Sequence, residues 1–309
     1  MLDYRTIQTR YRFTGTLTLE TALHIGTGQT ATVTDSPILR NAAGQPFIPG
    51  SSLKGAFRAA VARIVPNLNL QACDVFGDDN FCVSPQNGQK NKDYLAVRRF
   101  LGRKVPRSGG GDDAEKAREA LSHFEKEDWI EQKITEEHLL TLLNENLCPV
   151  CRVFGSPFYA AKARLDDLPV QAWFEVTEIR DGVGIDRDSE RAVENIKFDF
   201  EVVPAGTTFR FGLTVENPTD QDLGLIATGL REMQAGMVRL GGIRSRGLGQ
   251  CRLVLDPVQR LDFSDVKMLT AYLKGDGNGE TISPEEFLTQ AVQGLLKQGG
   301  NGHAETTGE

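Results

Sequence analysis

The chain has 309 residues, 39% of them hydrophobic, which suffices for a real core in one elaborated domain or two. A formal net charge of −7 argues against a free-standing protein that binds nucleic acid by bulk charge. No apolar run of about twenty residues exists and MLDYRTIQTRYRF carries no apolar signal core, so no membrane partner is expected, and the protein is expected to be soluble and cytoplasmic. The charge is unevenly placed. Lys54 with Arg58, the stretch from Arg98 to Arg107, and Arg239, Arg244, Arg246 and Arg252 form basic clusters, while acidic residues gather in 112–137 and the C-terminal third. A basic groove on an acidic body is therefore compatible with the sum.

Residues 11–19, YRFTGTLTL, alternate with Tyr11, Phe13, Leu17 and Leu19 on one face, the period of a half-buried strand. His24 follows, ahead of Gly26 and Gly28. It is expected either to pack or hydrogen-bond at the strand end, or to act as an acid or base in RNA cleavage. Asp35 stands in Thr34-Asp35-Ser36-Pro37, a common turn former. The rival reading is a lone carboxylate that ligates Mg²⁺ or assists proton transfer from a ribose 2′-OH. Pro49-Gly50-Ser51-Ser52 then caps a helix over about 52–65, with Leu53, Phe57, Val61 and Ile64 at helical spacing. Ser51, Ser52, Lys54 and Gly55 have the composition of an anion site at a helix start, where the first N–H groups lack partners. The alternative is an ordinary serine cap with a solvated lysine. GxxxxGK[ST] is absent, which argues against ATP hydrolysis.

Residues 83–147 read as an insertion. A polar, basic loop passes through Ser108–Gly111 into two helical stretches, DDAEKAREALSHFEKEDW and TEEHLLTLLNEN. Cys148-Pro-Val-Cys151 follows. CxxC is the bite with which two thiolates hold one Zn²⁺, and Cys73 and Cys82 complete a four-cysteine set, with His138 a rival fourth ligand. No βαβ context supports a thioredoxin-type role, the odd cysteine count argues against a disulfide scaffold, and Cys251 reads as core.

Residues 171–179 are strand-like, and 180–197 form a long polar excursion of a kind that needs something to contact. Phe198, Phe200 and Val202 alternate, Pro204-Ala205-Gly206 turns, and Phe209, Phe211, Leu213 and Val215 alternate again. Thr219 or Asp220 caps a second helix with Leu223, Ile226, Leu230, Met233 and Met237 on one face, and QCRLVLDPV closes as a strand. The order β-α-β-β-α-β predicts an α+β chain with a ferredoxin-like sheet. Beyond Gly275 a short helix over about 283–297 and a disordered tail are expected. Between the second helix and the last strand, Gly241, Gly242, Gly247 and Gly249 interleave with Arg244, Ser245 and Arg246. Glycine permits close backbone approach to an anion and arginine supplies charge. This loop and the 24–58 segment would together make a phosphate-binding surface.

DSPILR…PFIPGSSLKGAFR, CxxCRVFG, IDRDSERA…FDFEVVPAGTTF and LGGIRSRGLG together resemble the backbone subunit of type III CRISPR effector complexes, a RAMP-superfamily protein of the target-RNA-cleaving, III-A/III-D-like kind. The resemblance covers about 1–82 and 146–260. It implies an RRM-like ferredoxin palm over those segments, a β-hairpin thumb at about 180–197, the partly helical insertion 83–147, and a C-terminal extension 261–309. By the same resemblance Asp35 occupies the catalytic position and cuts paired target RNA with Mg²⁺ or Mn²⁺. His24, Gly26, Ser51, Ser52, Lys54, Arg58, Gly242, Arg244, Ser245, Arg246 and Gly247 would face RNA, with Arg180, Asp186 and Arg187 on the thumb. Implied partners are guide CRISPR RNA, single-stranded target RNA, other RAMP subunits, a large polymerase-like subunit and a small subunit. A non-catalytic RNA-binding backbone subunit and a guide-processing endonuclease using His24 are the alternatives.

Overall fold

In the computed structural model, the described residues are 6–30, 34–73, 82, 93, 96–97, 111–126, 129, 136–156, 159–185, 192–276 and 279–300. The alternation in the first strand is real. In β1 (Thr9–Leu19), Phe13, Leu17 and Leu19 are buried while Arg12 is exposed. Along one edge β1 pairs antiparallel with β7 (Thr208–Glu216), Arg10 to Thr18 facing Glu216 to Thr208. Its other edge is shared between β8 (Cys251–Leu255) and β9 (Val258–Asp262). β7 carries β3 (Ala163–Leu165) and β4 (Leu168–Ala172) on its far side, β4 pairs with β2 (Phe47–Ile48), and β10 (Glu280–Ile282) extends the opposite edge beside β9. The order β8-β1-β7-β4 at the sheet centre, all antiparallel, is the ferredoxin-like order expected of β-α-β-β-α-β.

The two crossover helices share one core with β1 and β7. α1 (Gly50–Ile64) buries Leu53, Phe57 and Val61, and the next step falls on Val65 in the following turn, with Ile64 only half-buried. Helices α2 (Gly111–His123), α3 (Glu136–Asn146) and α4 (Pro149–Phe154) come next, the first two close to the helical stretches read in the insertion. Leu142 and Leu143 of α3 enter the main core, whereas Ala120 and Leu121 of α2 join a small cluster with Val97. α5 (Asp220–Gln234) begins in a capping box between Thr219 and Asp222. It ends before Met237, which is 68% exposed and not on its apolar face as expected. Two glycines let α5 be gripped from both sides. A Cβ on Gly229 would lie 2.5 Å from the Phe57 ring of α1, and one on Gly224 would lie 2.6 Å from Leu295. Leu295 belongs to α7 (Pro284–Gly300), which packs on α5 through buried Phe287, Leu288 and Leu295 after the short α6 (Val266–Lys274).

The segment read as one strand over 171–179 is two strands in different sheets. β4 stops at Ala172, residues 173–177 leave the palm with Phe174 and Val176 exposed, and β5 (Glu178–Ile185) pairs only with β6 (Ala192–Val202). The resulting hairpin is longer at its base than the predicted excursion, and the Pro204–Gly206 turn is the corner through which the chain re-enters the palm as β7. Its tip, with Asp186 and Arg187, lies outside the described residues, as do the basic stretch 98–107 and the tail 301–309. Among the described residues no helix is long and apolar enough to cross a membrane.

Candidate nucleic-acid interface and cysteine cluster

The two glycine-rich segments meet. Gly242 N–H donates to the His24 carbonyl at 2.9 Å and Gly249 N–H to Ala22 O at 2.9 Å, laying the 239–249 loop along the chain that leaves β1. Glycine is required there. Gly249 has φ +80° and a Cβ would stand 1.9 Å from Leu240 O, and at Gly241, φ +74°, it would stand 2.1 Å from His24 O. Between this loop and α1 lies an open cleft of about 430 Å³, lined by Gly26, Ser52, Gly55, Arg239, Gly242 and Arg244 among others. Arg244, Ser245, Arg246 and Gly247 are exposed in a short turn beside it, held by the Arg239 guanidinium, which donates to Arg244 O at 3.0 Å. Ser51 is exposed at the start of α1, and Lys54 is half-buried one turn on. Burial, and then the neighbouring Arg58 charge, lower the Lys54 pKa.

Asp35 sits on the other edge of the same loop. Thr27 N–H donates to Pro37 O and Leu39 N–H to Ile25 O, so residues 25–27, which wall the cleft, are laced to the Asp35 segment. That segment is in turn stitched to the base of the hairpin. Asp35 N–H donates to Asp199 Oδ1 at 2.8 Å, and Asp199 N–H donates back to Asp35 Oδ2 at 3.1 Å. Glu201 N–H donates to Ser36 O, and the Glu201 carboxylate accepts from Ile38 N–H, Arg40 and the Thr177 hydroxyl. Although burial pushes the other way, the hydrogen bonds from Thr177, Ile38 and Arg40 hold Glu201 below the usual carboxylate range. Asp35 itself is exposed. The turn expected of Thr34-Asp35-Ser36-Pro37 is present as a bend at Asp35, and it leaves the side chain exposed.

His24 is internal. It is 8% exposed, edge-on to Phe200, with Nδ1 2.7 Å from the Glu201 carbonyl and Nε2 3.2 Å from Ser36 Oγ. A carbonyl only accepts, so Nδ1 carries the proton and Nε2 accepts from the serine hydroxyl. The ring ties the Asp35 segment to β6. On the hairpin, Arg180 pairs with Glu178 at 3.1 Å.

The four cysteines converge from four points of the chain. The sulfurs of Cys73, Cys82, Cys148 and Cys151 all lie within 4.8 Å of one another, while His138 stacks edge-on to Trp129 and is not part of the group. Tetrahedral Zn–S bonds of about 2.3 Å place sulfurs about 3.8 Å apart, so the set fits one Zn²⁺. Cys151 N–H donates to Cys148 Sγ at 3.4 Å and Cys148 N–H to Cys82 Sγ at 2.9 Å. Hydrogen bonds from Cys151, Cys73 and Cys82 pull the Cys148 thiol down, and the same bonds to Cys148 push Cys151 and Cys82 up, so the four sulfurs share their protons as one group. Cys251 is separate, its thiol pushed up to about 12 by burial in β8. Arg58, expected beside the phosphate contacts, points into this cluster: Nη2 is 3.2 Å from Cys151 Sγ and Nη1 donates to Gly155 O at 3.1 Å.

Asp199, Glu201 and Arg40, which hold Asp35, were not picked out from the sequence. The signal was present: in Phe198-Asp199-Phe200-Glu201-Val202 the two carboxylates alternate with the apolar face and so share the opposite one.

A ferredoxin-like palm with a projecting hairpin, and a cleft walled by a serine-started helix and a glycine-arginine loop, define the class of protein. The chain belongs to the RAMP superfamily, whose family profile matches residues 16–252. It is 25% identical to the CRISPR system Cms endoribonuclease Csm3 of Streptococcus thermophilus, over 92% of this chain and 98% of that protein. It is 44% identical to the protein of the same name from Methanocaldococcus jannaschii, over 31% of this chain and 52% of that one.

Proposed function

We propose that this chain is a backbone subunit of a type III CRISPR ribonucleoprotein, which holds a guide RNA along the α1–loop cleft and cuts the paired target RNA at Asp35. The observation that carries the reading is the joint placement of cleft and carboxylate, two edges of one laced loop at the foot of the hairpin. Ser51, Ser52, Lys54, Arg244 and Arg246, with Arg239 behind them, would take guide phosphates, leaving base identity to guide–target pairing. The relatives' name, endoribonuclease, supports the cutting role.

Among the described residues only the four cysteines form a cluster of three or more metal-ligating groups. A Mg²⁺ beside Asp35 would therefore need phosphate oxygens of the RNA and water to complete its shell, as this ion commonly does, and it would offset charge on the scissile phosphate. Asp35 would orient the 2′-OH and draw on its proton, while the hairpin holds that nucleotide out of the stack. Products would be a 2′,3′-cyclic phosphate and a 5′-hydroxyl. In the same reading the cysteine cluster holds a structural Zn²⁺ that ties Cys73 and Cys82 to α4, and the partners are guide and target RNA, further RAMP subunits, a large polymerase-like subunit and a small subunit. A guide-processing role for His24 is disfavoured by its burial and by the occupation of both ring nitrogens.

The test is Asp35→Ala in a complex assembled with guide RNA. Guide and target binding should persist while cutting falls by about a hundredfold or more. Undiminished cutting by the variant would leave the chain a structural backbone role, and equal cutting in EDTA would overturn the metal-dependent mechanism.

A further inference from the structure

Arg58, like Lys54, is not among the residues that line the cleft. It lies one turn beyond Lys54 on α1, half-buried, and its guanidinium reaches away from the RNA surface. One arm donates to the Gly155 carbonyl just past α4. The other lies 3.2 Å from Cys151 Sγ and 3.9 Å from Cys73 Sγ, bridging two sulfurs that are 3.1 Å apart. A phosphate contact would have no reason to spend both arms this way.

The charge balance supplies the reason. Four thiolates around one divalent cation leave two negative charges uncompensated in a largely buried place, and such a centre needs donors aimed at its sulfurs. The backbone provides two, the N–H groups of Cys148 and Cys151. Among the described residues Arg58 is a cation hydrogen-bonded to the cluster, and its planar fork suits two acceptors at once. Resting on the reading of the four cysteines as a zinc centre, we propose that Arg58 is a positioning residue of that centre. It offsets thiolate charge, sets the orientation of Cys73 and Cys151, and clamps α1, the helix that walls the cleft, to the metal.

The experiment uses the full chain purified with its metal, and reads zinc per chain and the rate of zinc release to a chromogenic chelator at fixed pH. Wild type should hold close to one zinc. Arg58→Met keeps the stem and removes charge and donors, and should release zinc about 10–100-fold faster, the usual range for partners behind the ligands. Arg58→Gln can still donate to Gly155 O but is neutral, and should behave like Met. Arg58→Lys should recover part of the loss. Should Arg58→Met fail to fold, the comparison of Gln with Lys decides the matter. Guide-RNA binding supplies the rival arm: the slope of log affinity against log salt should be unchanged in Arg58→Gln, whereas a lost phosphate contact would reduce it by about 0.7. Zinc held and released at the wild-type rate by Gln, or a reduced slope with unaltered release, overturns the role of Arg58 and leaves the zinc centre standing. Wild-type protein without zinc overturns the zinc reading and this role with it.

Discussion

At the scale of single residues, Asp35 can be exposed and still held in place because its backbone and one carboxylate oxygen are tied to Asp199 and its turn is tied to Glu201. Glu201 gathers the most: a backbone N–H, a hydroxyl and a guanidinium on one carboxylate. Replacing it by Gln keeps an acceptor and removes the charge. With the site partly open to solvent, a loss of about 1 kcal/mol is expected, seen as a fall in Tm of about 2–4 °C. Target cutting should slow while guide binding stays unchanged. The sign with pH follows from the lowered folded-state pKa. The contribution is complete above the reference value of 4.5 and disappears as the pH falls through the folded value. Melts of wild type and Glu201→Gln should therefore differ at pH 7 and converge once the pH falls below the lowered folded value; a gap that widens in acid would contradict the assignment. Asp35 was legible from its place in Thr-Asp-Ser-Pro and from the family resemblance. Its supports were not, since Asp199 lies 164 residues away and the pairing exists only once the hairpin is folded back. Arg58 was misplaced for the same reason. Its local setting is that of a phosphate contact, and its partner Cys151 is 93 residues distant.

At the scale of elements, α1 serves two sides. Leu53, Phe57 and Val61 face the core, and Ser52, Gly55, Ala56 and Ala59 face the cleft with nothing larger than a methyl or hydroxyl. Gly55 is a poor helix residue with open space around it, since a Cβ there would meet nothing within 4 Å. Gly55→Ala should therefore stabilise the helix by about 0.8–1 kcal/mol. If RNA backbone passes over this face, the added methyl should also weaken guide binding. Gly294 of α7 is equally unobstructed and far along the chain from the cleft residues, so Gly294→Ala should stabilise without touching affinity. Equal guide affinity in both variants would remove α1 from the interface. The helices and central strands could be read because their burial follows the 3.6 and 2 periods in the sequence. The break at 173–177 could not, because exposed Phe174, Val176 and Ile179 imitate a buried strand. β9, β10 and α6 escaped notice because a five-residue strand that buries Val258 and Leu261, a three-residue edge strand and a helix with no buried residue carry weak patterns.

At the scale of the whole molecule, the proposed function asks an acidic chain of net charge −7 to bind a polyanion. Long-range attraction is therefore weak, and affinity must come from contacts within about one Debye length, roughly 8 Å at physiological salt. The cleft offers them: Arg239 and Arg244 line it and Arg246 is exposed beside it, with Lys54 half-buried on α1 but off the lined face, while many other surface cations are already paired, Arg231 with Glu285, Arg252 with Glu20 and Arg260 with Glu280. Affinity for guide RNA should fall steeply with salt, and each lost phosphate contact should take about 0.7 from the slope of log affinity against log salt. Lys54→Ala, Arg244→Ala and Arg246→Ala are each expected to lower the slope by that amount, and together by about 2, with the same effect on guides of unrelated sequence. Arg252→Ala, on the paired surface, should leave it alone. Fluorescence anisotropy titrations between 50 and 300 mM salt, within about the range where such losses reach orders of magnitude, measure this directly. An unchanged slope in the triple variant would mean that the RNA lies elsewhere on the molecule. A slope that fell for one guide sequence and not another would mean that the cleft reads bases, which phosphate contacts through glycine-borne amides and arginine forks do not do.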